Sequence, residues 1–156
     1  MAEGGERTKV RLVVDASVAV KWIIPGEPWE KEAKALKNGI VLGRLEAYAP
    51  ELIVYELASA ISKAVKSKVL EPQDGAEALK AVGFLGINLV QVSWQEAAEI
   101  LGLATTTGLT TYDATYLWLS KRLKAKLVTA DEELKRKGEV VTDTILLAEL
   151  KFPAEQ

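Results

Sequence analysis

Short apolar runs alternate along the chain with longer amphipathic stretches. Val10-Arg11-Leu12-Val13-Val14 is mostly apolar, rich in β-branched residues and stops at Asp15, which reads as a buried strand. Ser17 is placed to cap a short helix through Trp22 and Ile23, ended by Pro25-Gly26. Trp29 to Lys37 predicts a second helix, stopped at Asn38-Gly39. Glu46-Ala47-Tyr48-Ala49 is a brief extended segment, and Pro50 opens a long helix from about Glu51 to Lys66. Another helix starts at Pro72 and runs to about Leu85, followed by a short strand over Asn88 to Val92. Ser93-Trp94-Gln95-Glu96 has the spacing of a capping box, and its helix runs to Gly108, suited to a left-handed stop. Thr110 or Thr111 caps the next helix, toward Arg122. Lys126 to Thr129 predicts a strand, Asp131 to Lys137 a short helix, and Glu139 to Thr142 a last strand, with apolar Ile145 to Leu150 packing back on the domain.

Strands alternating with helices predict an α/β fold, a short central parallel sheet flanked by helices in one compact domain. The domain is expected over residues 9–152, with a loose lead-in at 1–8 and a tail at 153–156; nothing reads as a linker or a repeat.

Composition then removes most chemistries. The 156 residues include no cysteine, which excludes disulfides, thiolate zinc sites and cysteine nucleophiles and suits a reducing, cytoplasmic home. They include no histidine, so Ser-His-Asp triads and imidazole metal sites are excluded too. No apolar run approaches the roughly 20 residues needed to cross a bilayer. A net charge of −2 gives no global pull toward nucleic acid. Few Asn and Gln beside abundant Lys and Glu lean toward a thermophile.

Glutamate outnumbers aspartate 17 to 5, as expected where solvated helix faces use the better helix former. Each aspartate is therefore informative. Asp15 directly follows a buried strand, at the edge where open α/β sheets bind ligands; helix capping is the plain alternative. Asp131 repeats the arrangement after Leu127-Val128-Thr129, with capping and dipole compensation an equal reading. Glu56 lies along Leu52, Ile53 and Ala60 rather than on a solvated face, so it must be paired, neutral or bound to a cation; Lys63 is a possible partner. Asp113 opens an otherwise apolar helix on the face of Tyr116 and Leu117. Four carboxylates from four elements, without histidine, suit a hard divalent cation such as Mg²⁺ or Mn²⁺, which takes oxygen ligands and assists phosphodiester chemistry.

These residues resemble the PIN-domain ribonucleases. Val13-Val14-Asp15-Ala16-Ser17 with Val18-Ala19-Val20-Lys21-Trp22 is similar to their opening motif, Pro50 to Ala58 around Glu56 to the second, Thr111 to Leu117 around Asp113 to the third, and Leu127 to Asp131 to the fourth. The four motifs fall in the family's order over roughly residues 10–145. The resemblance implies that Asp15, Glu56, Asp113 and Asp131 converge as catalytic and metal-holding acids, with Mg²⁺ or Mn²⁺, and that RNA is cleaved endonucleolytically. Ser17 and Thr129 would be supporting hydroxyls, holding a carboxylate or a water. The small size points to the VapC toxin branch, which implies a small antitoxin partner and a homodimer; a PIN-fold RNA-processing nuclease without an antitoxin is the alternative. For the RNA path, Lys63 and Lys66 with Lys68, and Lys121, Arg122 and Lys124 with Lys126, are the candidates; solvated helix ends explain both groups somewhat better.

Other α/β acidic-pocket proteins match less well. A phosphoacceptor receiver domain expects an acidic pair after its first strand, and a haloacid-dehalogenase-type phosphatase expects Asp-x-Asp; here Asp15 is followed by Ala16-Ser17. A metal-free binding module on the same fold would be set apart by its lack of Mn²⁺ affinity.

Overall fold

The computed structural model describes residues 9–151; the expected lead-in at 1–8 and tail at 153–156 lie outside them. Five parallel strands form one sheet in the order β3-β2-β1-β4-β5: β1 Val10–Val14, β2 Leu45–Pro50, β3 Asn88–Val90, β4 Lys126–Thr129 and β5 Thr144–Leu146. Seven helices connect them: α1 Ala16–Ala19, α2 Glu30–Val41, α3 Leu52–Lys66, α4 Pro72–Val82, α5 Trp94–Thr107, α6 Thr111–Leu123 and α7 Glu132–Gly138. Val20–Trp22 continues α1 as a 3-10 turn, and Leu147–Glu149 forms another after β5.

Strand alternation divides the core between two faces. Leu12, Val14 and Val128 pack with Leu36 and Ile40 of α2 and with Leu147. Val13 and Leu127 face the other way, into a larger cluster with Leu57 of α3, Ile100 of α5 and Tyr116, Leu117 and Leu119 of α6. Every residue from Ala114 to Ser120 is buried. At about 1.5–3 kcal/mol for each large apolar side chain, this packing fixes α6 against the sheet and with it the position of Asp113.

The capping box on α5 forms, Ser93 Oγ accepting from the Glu96 amide at 3.1 Å and Glu96 Oε1 from the Ser93 amide at 2.9 Å. Gly108 takes the left-handed stop at φ 75°, and Thr110 caps α6. Several local expectations fail. The last strand is Thr144–Leu146, not Glu139 to Thr142. The amides of Val141 and Thr142 both donate to the Gly138 carbonyl, so 139–142 is a turn, and Val140 is 83% exposed. Second, α2 passes through Asn38-Gly39 and stops at Leu42 and Gly43, the latter at φ 73°. Gly39 is there for packing: a Cβ would come within 2.7 Å of Leu45 Cδ1. Third, Ser17 does not cap α1; Asp15 holds the N-cap position without a side-chain cap, and Ser17 bonds elsewhere. The helix from Pro72 and the strand from Asn88 also end early, at Val82 and Val90.

Candidate active site

The register of the two central strands builds the pocket. Val14 pairs with Val128, so the next residues, Asp15 and Thr129, stand side by side at the carboxyl edge of the sheet. Thr129 Oγ1 donates to Asp15 Oδ2 at 2.8 Å, and Ser17 Oγ donates to the same oxygen at 2.6 Å. Each hydroxyl oxygen also accepts a backbone amide: Ala130 N–H reaches Ser17 Oγ at 2.9 Å, and Asp131 N–H reaches Thr129 Oγ1 at 3.0 Å. Both hydroxyl protons are thus spent on Asp15, and the two hydroxyls lock the turn between β4 and α7 onto the end of β1. Asp15 is 5% exposed. Burial raises its pKa to about 6, the two hydroxyl bonds oppose the rise, and the charges of Glu56 and Asp131 add to it.

The second acid arrives on α3, which starts where β2 ends. Glu56 Oε1 accepts a 2.6 Å hydrogen bond from the hydroxyl of Tyr116 on α6. Lys63 is not its partner: the ion pairs among the described residues are Lys21–Glu27, Arg122–Glu96, Lys126–Asp143, Lys135–Glu139 and Lys137–Glu133. Glu56 is raised by burial first, lowered by the Tyr116 bond and raised by Asp113. Tyr116 itself is pushed far up by burial and then by Asp15 and Glu56, so it stays a neutral hydrogen-bond donor.

Asp113 enters in the first turn of α6, its amide donating to Thr110 Oγ1 at 3.1 Å. Its carboxyl is raised to about 6, by burial first and then by Asp15, Asp131 and Glu133. Asp131 caps α7, Oδ1 accepting from the amides of Glu133 at 2.8 Å and Leu134 at 3.2 Å. The capping role is thus real, while its charge still reaches Asp15 and Asp113.

The fold therefore brings Asp15, Glu56, Asp113 and Asp131 into one another's electric fields without an ion pair to any of them among the described residues. Ser17 and Thr129 sit in the same network. The donors are all hard oxygens and fit a cation that keeps most of its waters. Among the described residues no three acids stand close enough to enclose an ion by themselves.

The basic residues lie elsewhere. At about 1.5 Å per residue, Lys63 and Lys66 stand roughly 10 and 15 Å along α3 from Glu56. Lys121, Arg122 and Lys124 end α6 just before β4 begins, at the sheet edge opposite the acids. Arg122 pairs with Glu96 and stacks 5.3 Å from the centre of the Trp118 ring. That ring and Arg122 line a groove of about 1180 Å³ between α5 and α6, whose lining contains none of the four acids. Tyr116 is the contact that sequence reasoning missed. It was visible as a residue on Asp113's face, but nothing in the sequence paired it with a carboxylate 60 positions away.

Comparison with known proteins gives the arrangement its context. The PIN domain family model matches residues 12–140. Ribonuclease VapC3 of Pyrobaculum aerophilum is 28% identical over 129 residues, covering 82% of this chain and 95% of that protein. Among solved structures, PAE2754 of Pyrobaculum aerophilum is similar with a TM-score of 0.68 and 24% identity, over 89% of this chain and 85% of that one. VapBC2 of Rickettsia felis, solved bound to a DNA fragment from its promoter, is similar with a TM-score of 0.58 and 14% identity, over 88% of this chain and 97% of that one. With the family model spanning most of its length, the chain belongs to the PIN domain family.

Proposed function

We propose that this protein is a divalent-metal-dependent endoribonuclease and the toxin of a VapBC-type toxin–antitoxin pair. It acts on RNA in the cytoplasm, as a homodimer restrained by a small antitoxin. The observation that carries the reading is the uncompensated acid pocket: Asp15, Glu56 and Asp113 all resist ionisation, and no lysine or arginine among the described residues pairs with them. An RNA phosphate is repelled by such a pocket unless a cation lies between them. The ribonuclease name of the VapC3 relative and the VapB–VapC pairing in the Rickettsia structure support the assignment.

Asp15, Glu56 and Asp113 would hold Mg²⁺ or Mn²⁺ in part through the cation's own waters, with Asp131 contributing charge and its second oxygen. When bound, the cation supplies charge neutralisation for the phosphodiester and its leaving oxygen. The chain's own part is preorganisation. Ser17 and Thr129 fix Asp15 through Oδ2, and Oδ1 accepts no hydrogen bond among the described residues. Thr110 fixes the first turn that carries Asp113. The decisive experiment incubates purified protein with end-labelled RNA in Mn²⁺ or Mg²⁺ and in chelator. Internal cleavage in either metal that disappears in chelator and in Asp15→Asn, Glu56→Gln and Asp113→Asn is the expected result. Cleavage that survives chelator, or all three substitutions, overturns the reading. If the neighbouring reading frame encodes a small protein, co-expression with it tests the antitoxin assignment by co-purification and loss of cleavage.

A further inference from the structure

Tyr116 presents a puzzle of packing. It is the largest of the fully buried side chains, in the cluster beneath α3 and α6. Phenylalanine would fill the same space without a polar atom to satisfy, so the hydroxyl needs a reason. Its partner is not a nearby carbonyl but the carboxylate of Glu56, on a different helix, at 2.6 Å. The spacing on α6 explains the reach: Asp113 and Tyr116 are three residues apart and share a face, so one helix brings an acid and a phenol to the same place. Glu56 has a long side chain with no ion-pair partner among the described residues. Among the described residues the Tyr116 bond is its one anchor, and Oε2 accepts no hydrogen bond.

We propose that Tyr116 is a positioning residue: its hydroxyl pins Glu56 Oε1, and Oε2 is thereby kept as the oxygen that binds the divalent cation. Tyr116 touches neither substrate nor cation and acts only through Glu56. The Asp15 side of the pocket is built alike, with two hydroxyls on Oδ2. Each acid thus gives one oxygen to a fixed donor from another element. Partners of this kind behind a ligand carboxylate set its orientation and affinity. The inference rests on the metal-dependent reading above and adds a ligand-orienting residue to it.

The test is Mn²⁺ binding, followed by electron paramagnetic resonance of the free ion, in wild type, Tyr116→Phe, Glu56→Gln and the double variant. Tyr116→Phe keeps the ring, and urea unfolding in chelator checks that the fold is retained. The expected result is a 10–100-fold loss of Mn²⁺ affinity in Tyr116→Phe. In the Glu56→Gln background the same change should shift affinity by less than about twofold, because the contact it removes is already altered. Wild-type affinity in Tyr116→Phe, or an equal loss in both backgrounds, overturns the positioning role. A wild type that binds no Mn²⁺ removes the parent reading as well, so the two failures are told apart in one titration. A second measurement needs no variant. The buried Tyr116 hydroxyl proton should give a solvent-protected NMR resonance in wild-type protein that moves on saturation with Mg²⁺. A resonance unmoved by saturating Mg²⁺ also overturns the proposal.

Discussion

Asp15→Asn should make the metal-free protein more stable at neutral pH, which is the opposite of what removing a structural ion pair does. The side chain is almost wholly buried, and its pKa is raised from 3.8 to about 6. At about 1.4 kcal/mol per pH unit, ionised Asp15 costs the folded state about 3 kcal/mol relative to its protonated form. Between those two values the folded chain holds a proton that the unfolded chain has released. Stability is therefore greatest below pH 3.8 and is lost as pH rises through about 6. Asparagine mimics the protonated acid: its amide oxygen can accept from Ser17 and Thr129 as Oδ2 does. The variant should gain about 1–3 kcal/mol at pH 7.5, shrinking to about a third of that at pH 4.5, where wild-type Asp15 is mostly protonated. Urea unfolding in chelator at both pH values measures this; with a slope of about 2 kcal/mol/M the neutral midpoint moves by roughly 0.5–1.5 M. Saturating Mn²⁺ should stabilise wild type strongly and the variant little. The reasoning is refuted by a variant less stable than wild type at pH 7.5, since breaking a buried ion pair costs about 3–5 kcal/mol. Asp113→Asn should act in the same direction and more weakly: its carboxyl is only half-buried, so solvent screens much of the effect.

Three further outcomes are expected. Ser17→Ala removes a donor to Asp15 and strips the Ala130 amide of its acceptor, which should cost about 1–3 kcal/mol in urea unfolding at pH 5 and above. Gly138→Ala places a Cβ 2.7 Å from Leu117 Cδ2, a fully buried side chain, and should lower stability by about 1–3 kcal/mol while leaving Mn²⁺ affinity unchanged. Reversing the charge of Lys63 and Lys66 should leave metal-dependent cleavage of a very short RNA intact and flatten only the salt dependence of binding a longer one; equal slopes for wild type and variant would retire an RNA path along that end of α3.

The two central strands were legible because each is a short, mostly apolar run with β-branched residues that ends at a polar one, as Val14 ends at Asp15 and Val128-Thr129 gives way to Asp131. The helix boundaries set by explicit side-chain chemistry were legible too: the Ser93–Glu96 box, the Gly108 stop and the Thr110 cap all form. Failures came where tertiary packing overrides a local signal. Gly39 looks like a stop, yet it lies inside α2 so that Leu45 can press against the helix. Glu139 to Thr142 has a strand's composition, but Gly138 and the turn after it delay β5 until Thr144, where the chain again meets Leu127. Ser17 has a capping residue's position and is used to hold Asp15 instead, because the register of β1 on β4 places Thr129 and Ala130 beside it.

The acids themselves were legible for a related reason. A chain that places glutamate freely on solvated helix faces has no structural need for Glu56 among Leu52, Ile53 and Ala60, or for a charge at the end of a strand as buried as Leu12 to Val14. Each is a local conflict with the fold's own rules, and such conflicts mark sites where function overrides stability. The structure sharpens the distinction among the four. Asp131 relieves its conflict by capping α7, and so would be tolerated in a protein with no chemistry at all. Asp15 is given two hydroxyls, yet its pKa still rises, because they do not repay the cost of burial. Glu56 has one phenol and Asp113 a single capping hydroxyl, and both remain raised. Ordinary selection for stability would replace these three with amides or aliphatic residues, as the expected gain in Asp15→Asn makes measurable. That their charges oppose one another from separate elements, with no ion pair to any of them among the described residues, is the physical reason to seek what stabilises their charge outside the polypeptide.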